Sequence, residues 1–447
     1  MNTKLAEQIQ AYIDKYRYEI VSRTCELVRI PSVKVSDDSG KPYGKECARA
    51  LDFCDALCRE KGLVTKNYDY RCLEAMCSER QSGKRLLIAT HADVVPASEG
   101  NLYDPFAGTV RGDYILGRGT VDDKGPLVAT LYALAFFKEY GIPLKNDVRL
   151  VFGSNEEFGM DDMQYYLETA GQPDWGISAD GDFPTDNGEK SKVTFTVTAA
   201  KAKNVEFVRS RSDGQSLIHA YCESTIDNVN VTIGKTRPVT GGEGEKPGIE
   251  NPVAHTILSS AVPIFQNAEE EACIKALLAD RHGEQMGIAC EHELFGKSVF
   301  RVCKAETEGE NIVLTFDVRL PALVDLQGVA DKIRRYGEEH RISVAVEKLG
   351  PGYYQAPDQE IVAMLTGIYN REMNLDQKPG VLLGGCTYTR LFRNGCGFGG
   401  GFRDEKKPFP PGHGYCHGAD EAHNIGVLLN AVKMFILGIK AIDDMWS

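Results

Sequence analysis

The sequence predicts an α/β protein whose mostly parallel central sheet is split in sequence by an inserted α+β domain. Two patterns support this fold class. Near both ends of the chain, short apolar runs alternate with helical patterns, which is typical of parallel strands with covering helices. Over about residues 193–350 the pattern changes to alternating apolar and polar positions, as in residues 193–197 and 312–316, which indicates half-buried strands.

The helices and strands of the outer segments are predicted in chain order. Apolar residues recur at helical spacing through the first 30 residues, and Pro31 ends this helix. Gly125 and Pro126 open a second helix, and an amphipathic pattern predicts a C-terminal one. The predicted helices are residues 1–30, 127–140 and 420–442. The predicted buried strands are residues 86–90, 148–154 and 176–179.

These patterns divide the chain into three segments. Residues 1–190 and 353–447 are expected to form one domain that is discontinuous in sequence. Residues 191–352 are expected to form the inserted domain, which includes a loop rich in glycine and glutamate at residues 241–252.

The composition is that of a globular protein and excludes two classes of partner. Of the 447 residues, 42% are hydrophobic and 26% are charged. The formal net charge is −13, and no basic cluster is present that could neutralise phosphates or anionic lipids. No stretch approaches the roughly 18 apolar residues of a membrane span. We therefore expect neither a nucleic acid nor a membrane as a partner.

The N-terminus and the cysteines indicate a cytoplasmic location. The first 32 residues are rich in charge and lack the apolar core of a signal peptide. The 13 cysteines are an odd number scattered over a long chain, which fits reduced thiols better than a disulfide framework.

Imidazole and carboxylate side chains follow the predicted strands or lie in glycine-bounded turns. The carboxyl ends of parallel strands meet at one edge of a sheet, so these side chains are expected to gather there. Uncompensated acidic groups directly after apolar strands are unfavourable, which favours a bound cation. The five candidate metal ligands are His91, Asp122, Glu157, Asp180 and His417.

This set of ligands predicts two divalent metal ions. Imidazole and carboxylate donors suit zinc, with cobalt or manganese as alternatives. Two ions about 3.5–4 Å apart need a carboxylate that bridges them, and Asp122 is the candidate. One ion then takes His91 and Asp180, and the other takes Glu157 and His417. Such a pair activates water for attack on a carbonyl carbon.

Two further acidic residues are assigned to the chemistry. Glu156 is adjacent to a metal ligand and is expected to act as general base and then general acid, moving a proton to the leaving amine. Asp93 lies two residues after His91 and is expected to accept the other imidazole hydrogen and orient the ring. We therefore predict a hydrolase of peptide-like amide bonds.

The same motifs resemble those of a known family over nearly the whole chain. The chain resembles the aminoacylase/carboxypeptidase G group of co-catalytic zinc peptidases, peptidase family M20, and within it looks like the PepV-type dipeptidases. The matching segments are His91-Ala-Asp93-Val-Val-Pro96, Gly117-Arg-Gly-Thr-Val-Asp122-Asp-Lys-Gly-Pro126, Glu156-Glu157, Asp180-Gly-Asp-Phe-Pro184, Asp317-Val-Arg319-Leu-Pro321, Gly384-Gly-Cys-Thr-Tyr-Thr-Arg390, and His417 with Glu421.

The resemblance implies a zinc-peptidase-like catalytic domain with an inserted lid. The family's metal ligands and base match the residues assigned above, and the Asp122–Asp123 peptide bond is implied to be cis. Arginines such as Arg319 bind the substrate's carboxylate in relatives, and a guanidinium fits that planar group. The residues implied to bind substrate are Arg319, Gly384, Gly385, Thr387 and Arg390.

The inserted domain departs from the family in two places. Glu243 stands where relatives have a histidine that stabilises the oxyanion, and Ser216 stands where they have an asparagine. Loss of an oxyanion donor lowers rates by about 10²–10³-fold. Three explanations stay open: His219 replaces the donor, Glu243 or Glu245 binds a cationic group of a different substrate, or hydrolysis is lost while the metals are kept.

Two other motifs are interpreted as structural. Residues 395–400 match G-x-G-x-x-G, but no helix is predicted directly after them, so a dinucleotide site is not expected. His413 and His423 flank His417 and compete with it as ligands. The spacing to Glu421 favours His417, and His423 falls within the predicted C-terminal helix.

We therefore predict a cytoplasmic, monomeric metallodipeptidase that acts on a small peptide. The monomer follows from the insert, which looks larger than the dimerisation domain of the family's dimeric branches. Two alternatives stay open. One is an N-acyl-amino-acid amidohydrolase or a carboxypeptidase with the same metal site. The other is a metal-binding, hydrolytically impaired protein that binds peptides or amino acids.

Overall fold

A computed structural model describes most of the chain, which divides into two units. The described residues are 3–79, 83–211, 219–234, 251–402 and 407–447. The first unit consists of Met1–Gly188 and Gln355–Ser447, and the second of Glu189–Tyr354. Ser216, Glu243 and Glu245 and most of the predicted glycine-rich loop lie outside the described residues.

The described residues form nine α-helices. Asn or Asp side chains cap the amino ends of several, and Asn424 accepts hydrogen bonds from Gly426 N and Val427 N at the start of the last one. The helices are α1 (Thr3–Val28), α2 (Lys45–Glu60), α3 (Lys124–Glu139), α4 (Asp161–Ala170), α5 (Pro252–Leu258), α6 (Ala268–Ala279), α7 (Leu326–His340), α8 (Glu360–Met373) and α9 (Ile425–Met445). A 3₁₀-helix spans Tyr388–Leu391.

The strands range from two to ten residues. They are β1 (Val64–Tyr68), β2 (Cys72–Met76), β3 (Arg85–His91), β4 (Thr109–Arg111), β5 (Tyr114–Leu116), β6 (Asp147–Gly153), β7 (Trp175–Ser178), β8 (Asp182–Phe183), β9 (Asp186–Glu189), β10 (Ser191–Ala200), β11 (Val205–Arg211), β12 (Tyr221–Ile226), β13 (Val229–Gly234), β14 (Glu291–His292), β15 (Gly296–Lys297), β16 (Val299–Glu308), β17 (Asn311–Leu320), β18 (Ser343–Gly350), β19 (Tyr353–Tyr354), β20 (Gly380–Leu382), β21 (Gly395–Gly397), β22 (Gly401–Phe402) and β23 (Ala422–Asn424).

The main sheet of the first unit is parallel at its centre. Its strands run in the order β1-β2-β6-β3-β7-β21-β9, and β20 also pairs with β9. β6, β3, β7 and β21 are parallel, whereas β1, β2 and β9 pair antiparallel with their neighbours. The sheet is mixed rather than mostly parallel, and the predicted α/β fold class is confirmed. The carboxyl ends of β3, β6 and β7 lie at the same edge.

Helices α1, α3 and α9 cover the core of the first unit. Every residue of α3 from Lys124 to Phe137 is buried, and α3 contacts both α1 and α9. A helix with so little exposed surface must be enclosed by other elements. Leu86 and Ile88 of β3 and Leu150 and Phe152 of β6 contribute to the same buried cluster. This core fixes the strand ends that carry the candidate ligands.

Helix α9 is the described helix that is long and apolar enough to cross a membrane. Its 18-residue window has a mean hydropathy of 1.9, so the expectation that no stretch reaches this level is wrong for α9. However, 61% of that window is buried inside the protein, and α9 packs on α1, α3 and α8. The core helix of a globular domain has this composition for the same reason, because its surface is covered by other apolar groups.

The C-terminal helix begins later than the sequence pattern predicts. It starts at Ile425 instead of about residue 420, and His423 lies in strand β23, which pairs with β5. The prediction that His423 falls within the helix is therefore wrong. The side chain of Asn424 caps the helix and fixes its start.

The second unit is built on an antiparallel sheet with one apolar and one polar face. Its strands run in the order β16-β17-β10-β18. Along β10, buried and half-buried residues alternate, with Val193 and Phe195 inside and Lys192 and Thr194 on the other face. Helices α5, α6 and α7 contribute to the buried cluster on the apolar side. The polar face of the sheet therefore does not contribute to this buried cluster.

Candidate metal centre

The candidate ligands of the first unit lie at strand ends and in turns. His91 is the last residue of β3, Glu156 and Glu157 follow β6, and Asp180 follows β7. β3 pairs in parallel with both β6 and β7, so these ends are neighbours. Asp122 lies in the turn before α3, and its peptide bond to Asp123 is cis, as the resemblance implies.

The two carboxylate oxygens of Asp122 face different imidazole rings. Oδ1 lies 3.0 Å from Nε2 of His91, and Oδ2 lies 3.0 Å from Nε2 of His417. Two metal ions that share one carboxylate have this arrangement of donors. Asp122 is therefore the central residue of the group.

The remaining two candidate ligands divide between the same two imidazoles. Nε2 of His91 lies 3.8 Å from a carboxylate oxygen of Asp180. Nε2 of His417 lies 3.1 Å from a carboxylate oxygen of Glu157. The geometry thus brings all five candidate ligands together.

A second grouping of donor atoms includes Glu156. One set of donors within 4.8 Å of one another comes from His91, Asp122 and Glu157, and another comes from His91, Glu156 and Asp180. Glu156 is therefore close enough to His91 to be a ligand itself. Replacing Glu156 and measuring the number of bound metal ions distinguishes a ligand from a base.

The electrostatics of the centre fit divalent cations. Four buried or half-buried carboxylates, those of Asp122, Glu156, Glu157 and Asp180, surround two imidazoles. Burial raises the pKa of Glu156 well above its usual value, with further increases from Asp180 and Glu157, and burial together with Asp122 raises that of Glu157 to about 7. The Oε1 atom of Glu156 is buried and has no hydrogen-bond partner among the described residues. Excess negative charge of this kind is stabilised by a bound cation.

The pKa values of the two imidazoles are raised as well, because carboxylates surround the rings. Burial lowers the pKa of His417, but Asp122 and Glu157 outweigh it and raise this pKa to about 11. The pKa of His91 is likewise raised well above its usual value by Asp122, Asp180 and Asp93, against the effect of burial. Both imidazoles are therefore held in the protonated form, and their positive charge balances part of the negative charge of the carboxylates.

Asp93 holds the backbone of the two glutamates. Its Oδ1 accepts a hydrogen bond from Glu156 N at 3.1 Å, and its Oδ2 accepts one from Glu157 N at 3.2 Å. The Nδ1 atom of His91 lies 3.0 Å from the carbonyl oxygen of Asp93 and 3.4 Å from its carboxylate. The sequence predicts only the contact of Asp93 with the imidazole, and its hydrogen bonds to the two glutamates have no signal in the sequence.

Glu421 and Arg118 position the turn that contains Asp122. The carboxylate of Glu421 accepts hydrogen bonds from Gly119 N at 2.9 Å, Val121 N at 2.8 Å and Asp122 N at 3.2 Å. It also lies 2.7 Å from Nη1 of Arg118, and both side chains are almost fully buried. Glu421 was noted in the sequence only for its spacing from His417, and Arg118 was not singled out.

The loop that carries His417 is fixed by its neighbours. The carbonyl oxygen of His417 accepts a hydrogen bond from Ser98 Oγ at 2.7 Å. Asp420 accepts hydrogen bonds from Leu102 N and Tyr103 N, and its Oδ2 lies 2.6 Å from Nδ1 of His413. His413 is therefore the partner of Asp420. This contact accounts for a histidine at position 413 without assigning it as a metal ligand.

Asp162 and Tyr388 hold the end of β6, from which the two glutamates follow. The Oδ2 atom of Asp162 accepts hydrogen bonds from Ser154 N and Asn155 N, both at 2.7 Å, and from Tyr388 Oη at 2.5 Å. Burial and the charge of Asp93 raise the pKa of Asp162 to about 6. Neither residue was singled out from the sequence.

The predicted substrate-binding residues of the first unit lie on one segment. Gly384 and Gly385 are exposed, and no atom lies within 4 Å of a Cβ added to either. Thr387 is buried and caps the 3₁₀-helix through Thr389 N, and Arg390 lies in that helix and is half-buried. The two glycines thus leave open space, whereas Thr387 is part of the local structure.

Arg319 and His219 belong to the second unit. Nε of Arg319 donates to Oδ1 of Asp317 at 2.9 Å, and the arginine side chain is 6% exposed. Nδ1 of His219 lies 2.8 Å from Ser210 Oγ. Both residues therefore have structural partners within their own unit.

The motif at residues 395–400 and His423 have no arrangement that suggests a ligand. The motif comprises β21 and the residues before β22, so a strand and not a helix follows it. His423 is buried, and neither of its ring nitrogens has a hydrogen-bond partner among the described residues. Burial lowers its pKa to about 3, which keeps the ring neutral.

Solved structures with the same fold cover nearly all of this chain. Human carnosine dipeptidase 1 has a TM-score of 0.66 at 16% identity, with 98% of this chain and 99% of that chain covered. The di-peptidase Dug1p from Saccharomyces cerevisiae has a TM-score of 0.67 at 15% identity, with 99% of each chain covered. At these identities the likeness concerns the fold.

Sequence comparison gives the family. Relatives from Staphylococcus aureus named "putative dipeptidase" are 24% identical over an aligned length of 445 residues, and the match covers 90% of this chain and 92% of theirs. Residues 87–440 match the sequence pattern of peptidase family M20/M25/M40. This match spans most of the chain and includes all five candidate ligands, and it confirms both the resemblance and the predicted class of enzyme, a metallopeptidase. The chain belongs to peptidase family M20/M25/M40.

Proposed function

We propose that this protein hydrolyses dipeptides with two divalent metal ions held by His91, Asp122, Glu157, Asp180 and His417. The observation that supports this most strongly is the carboxylate of Asp122, whose two oxygens each lie 3.0 Å from a different imidazole. In the proposed site, Asp122 would be shared by both ions, His91 and Asp180 would hold one, and Glu157 and His417 would hold the other. The first unit is then the catalytic domain and the second the lid.

The donor set suits zinc, and cobalt or manganese are alternatives. Two such ions, when bound, would polarise a substrate carbonyl and lower the pKa of a water molecule, so that hydroxide is available to attack the carbonyl carbon near neutral pH. The chain must then supply the proton transfer, orient the substrate and keep the ligands in place.

Glu156 is the proposed general base and acid. Its carboxylate is buried, its Oε1 has no hydrogen-bond partner among the described residues, and its pKa is raised by burial. A carboxylate with a raised pKa takes a proton from the attacking water and returns it to the nitrogen of the leaving amine. Asp93 supports this role because it accepts the backbone N–H of Glu156 at 3.1 Å.

The residues proposed to bind the substrate come from the family resemblance. Arg319 would bind the substrate's carboxylate, because a guanidinium offers paired donors to that group. Gly384 and Gly385 leave room for a backbone to approach. The other proposed substrate-binding residues are Thr387, Arg390 and His219.

A dipeptide is the favoured substrate because of the names of the similar proteins. Relatives from Staphylococcus aureus, the human protein and the yeast protein are all named as dipeptidases. Glu243 argues against hydrolysis, because the family resemblance implies a histidine that stabilises the oxyanion at this position. It favours a second candidate, a protein that binds metal and peptides without hydrolysing them.

We further propose that the protein is a cytoplasmic monomer. All 13 cysteines lie among the described residues and are free thiols. Thiols that remain reduced are typical of the cytoplasm. Size-exclusion chromatography with light scattering would measure the mass, and a dimer would contradict the proposal.

The first test is an activity assay of the metal-loaded protein on several classes of substrate. Purified protein is loaded with zinc, cobalt or manganese and assayed on dipeptides, N-acyl amino acids and longer peptides that have a free C-terminus. Cleavage of dipeptides alone supports the proposal, and cleavage of acylated amino acids or of successive C-terminal residues supports the amidohydrolase or carboxypeptidase alternative. No cleavage of any substrate by protein that holds two metal ions supports the binding protein.

Glu156→Gln separates the base from a ligand. We expect this variant to keep two metal ions per chain and to lose at least about 10²-fold in kcat, because the proton transfer is removed. Glu360→Gln, which changes an exposed glutamate at the start of α8, is the matched control and should behave as the wild type. Loss of a metal ion from Glu156→Gln would instead make Glu156 a ligand, as the second grouping of donors allows.

A further inference from the structure

The polar face of the second unit's sheet contains a group of positive charges around one carboxylate. Lys192 of β10, Arg301 of β16 and Arg319 of β17 all approach Asp317 of β17. These four residues are called the cation cluster below. The apolar face of the same sheet is occupied by the core, so the cluster has no role in that packing.

Strand register explains why the four side chains meet. Lys192 pairs directly with Arg319, and Arg301 pairs directly with Asp317. Directly paired residues of antiparallel strands lie on the same face, and Asp317 and Arg319 share a face because they are two residues apart. The nearest oxygen of Asp317 lies 2.9 Å from Arg319 Nε, 3.4 Å from Lys192 Nζ and 4.0 Å from Arg301 Nε.

The charges of the cluster do not balance. Three cations and one carboxylate leave two positive charges. Lys190 lies close by, and its pKa is lowered by burial and by the positive charges of Arg319 and Arg301. Because like charges repel most strongly where solvent is excluded, this arrangement is unfavourable without an anion.

Buried donor atoms in the cluster also lack partners. Nη1 of Arg319 and Nε of Arg301 are buried and have no hydrogen-bond partner among the described residues. The side chain of Arg319 is 6% exposed, whereas those of Lys192 and Arg301 are 23% and 35% exposed. The cluster is therefore closed at Arg319 and open to solvent at the other two cations, as a site for a small ligand would be.

We infer that the cation cluster binds a ligand with two carboxylates, and that the preferred substrates are dipeptides with aspartate or glutamate as the C-terminal residue. This inference rests on the proposed function. Arg319 alone would suffice for the single carboxylate of a neutral C-terminal residue. Lys192 and Arg301 are the new assignment, and they bind the second carboxylate.

The charge balance favours a dicarboxylate over a monocarboxylate. One carboxylate leaves the cluster with one positive charge, and two carboxylates neutralise it. Hydrogen bonds between ionised partners are among the stronger ones in proteins. A site built for a polar group also rejects analogues that lack it, because its own donors are then left unpaired.

The first measurement compares two substrates that differ by one charge. Alanyl-glutamate and alanyl-glutamine have nearly the same size, and the metal-loaded wild type is assayed on both. We expect kcat/KM for alanyl-glutamate to be at least about tenfold higher, since one hydrogen bond to a charged group contributes about that factor. Equal kcat/KM values for the two peptides would overturn the inference.

Variants test whether the cation cluster causes the preference. Lys192→Gln and Arg301→Gln change partly exposed side chains, and each is expected to reduce the preference for alanyl-glutamate about tenfold, mainly through KM. Lys304→Gln is the matched control, because Lys304 is on the same strand as Arg301 but pairs with Glu306. It should change the preference by less than about twofold. A loss of preference in Lys304→Gln as large as that in Arg301→Gln would refute a specific role for the cluster.

A binding measurement separates this inference from the proposed function. Calorimetry on the metal-free full chain compares L-glutamate with L-glutamine, and glutamate should bind at least about tenfold more tightly. Selective binding of glutamate by a protein that cleaves no dipeptide would support the site and refute the dipeptidase. Cleavage of neutral dipeptides with no selectivity for glutamate would support the dipeptidase and overturn the site.

Discussion

Acid sensitivity of the first unit should depend on one buried histidine, His423. This residue lies in β23, is 2% exposed, and neither ring nitrogen has a hydrogen-bond partner among the described residues. Burial and then the charge of Lys407 lower its pKa to about 3. An unfolded chain would bind a proton at about 6.5. The native state therefore holds His423 neutral over a range in which the unfolded state is protonated.

The direction and size of the effect follow from these two pKa values. Between pH 6.5 and 3 the unfolded state binds more protons, so stability falls as the pH falls. At pH 7.5 the contribution is close to zero. At pH 5, which is 1.5 pH units below the unfolded pKa, the native state loses about 2 kcal/mol, since one pKa unit corresponds to about 1.4 kcal/mol.

His423→Leu removes the titrating ring and keeps an apolar side chain of similar size. Urea unfolding of the wild type and the variant, both metal-free, is measured at pH 7.5 and pH 5. We expect the variant to gain about 2 kcal/mol relative to the wild type between the two values. His340→Leu, at the end of α7 in the second unit, is the control and should show no such gain in the first unit. A pH-independent difference between wild type and His423→Leu would refute the reasoning.

Three further predictions concern the metal centre and its supports. Asp122→Asn should bind fewer than two metal ions per chain by elemental analysis, because the shared carboxylate is weakened, and two retained ions would exclude it as the bridge. Glu421→Gln should lower the free energy of unfolding by about 3 kcal/mol in urea, because Arg118 is left buried without its counter-charge; a change below about 1 kcal/mol would contradict this. Gly153→Ala should lower the thermal midpoint, because a Cβ there would lie 1.9 Å from Tyr388 Oη, and Gly367→Ala, with no atom within 4 Å, is its control.

His91, Glu157 and Asp180 could be predicted as candidate ligands because they lie at the ends of strands with a strong apolar pattern. Apart from Thr90, Arg149 and Ser154, residues 86–90 and 148–154 are apolar or glycine on both faces, which is typical of a buried strand, and polar groups that follow such strands gather at their ends. The residues that hold those ligands could not be predicted in this way. Asp93 binds the backbone of Glu156 from 63 residues away, and a sequence pattern has no information about that distance.

The start of α9 shows a second limit of predicting secondary structure from local sequence patterns. The sequence before it contains Ala419, Ala422 and other residues compatible with a helix, so the predicted helix extended to residue 420. Pairing of β23 with β5 takes residues 422–424 instead, and Asn424 then caps the helix. Tertiary pairing outweighed local propensity, because a strand's hydrogen bonds depend on a partner that is distant in sequence.

The sequence by itself determined the α/β class and predicted the types of the candidate metal ligands and their positions at strand ends and in turns, because these depend on local periodicity and on the chemistry of single side chains. Only the tertiary structure decided that the oxygens of Asp122 face His91 and His417 separately, that Glu421 holds Val121 from 300 residues away, and that three cations meet at Asp317. Distances of this kind depend on how remote segments pack and on strand register, which the order of residues does not contain in any local pattern.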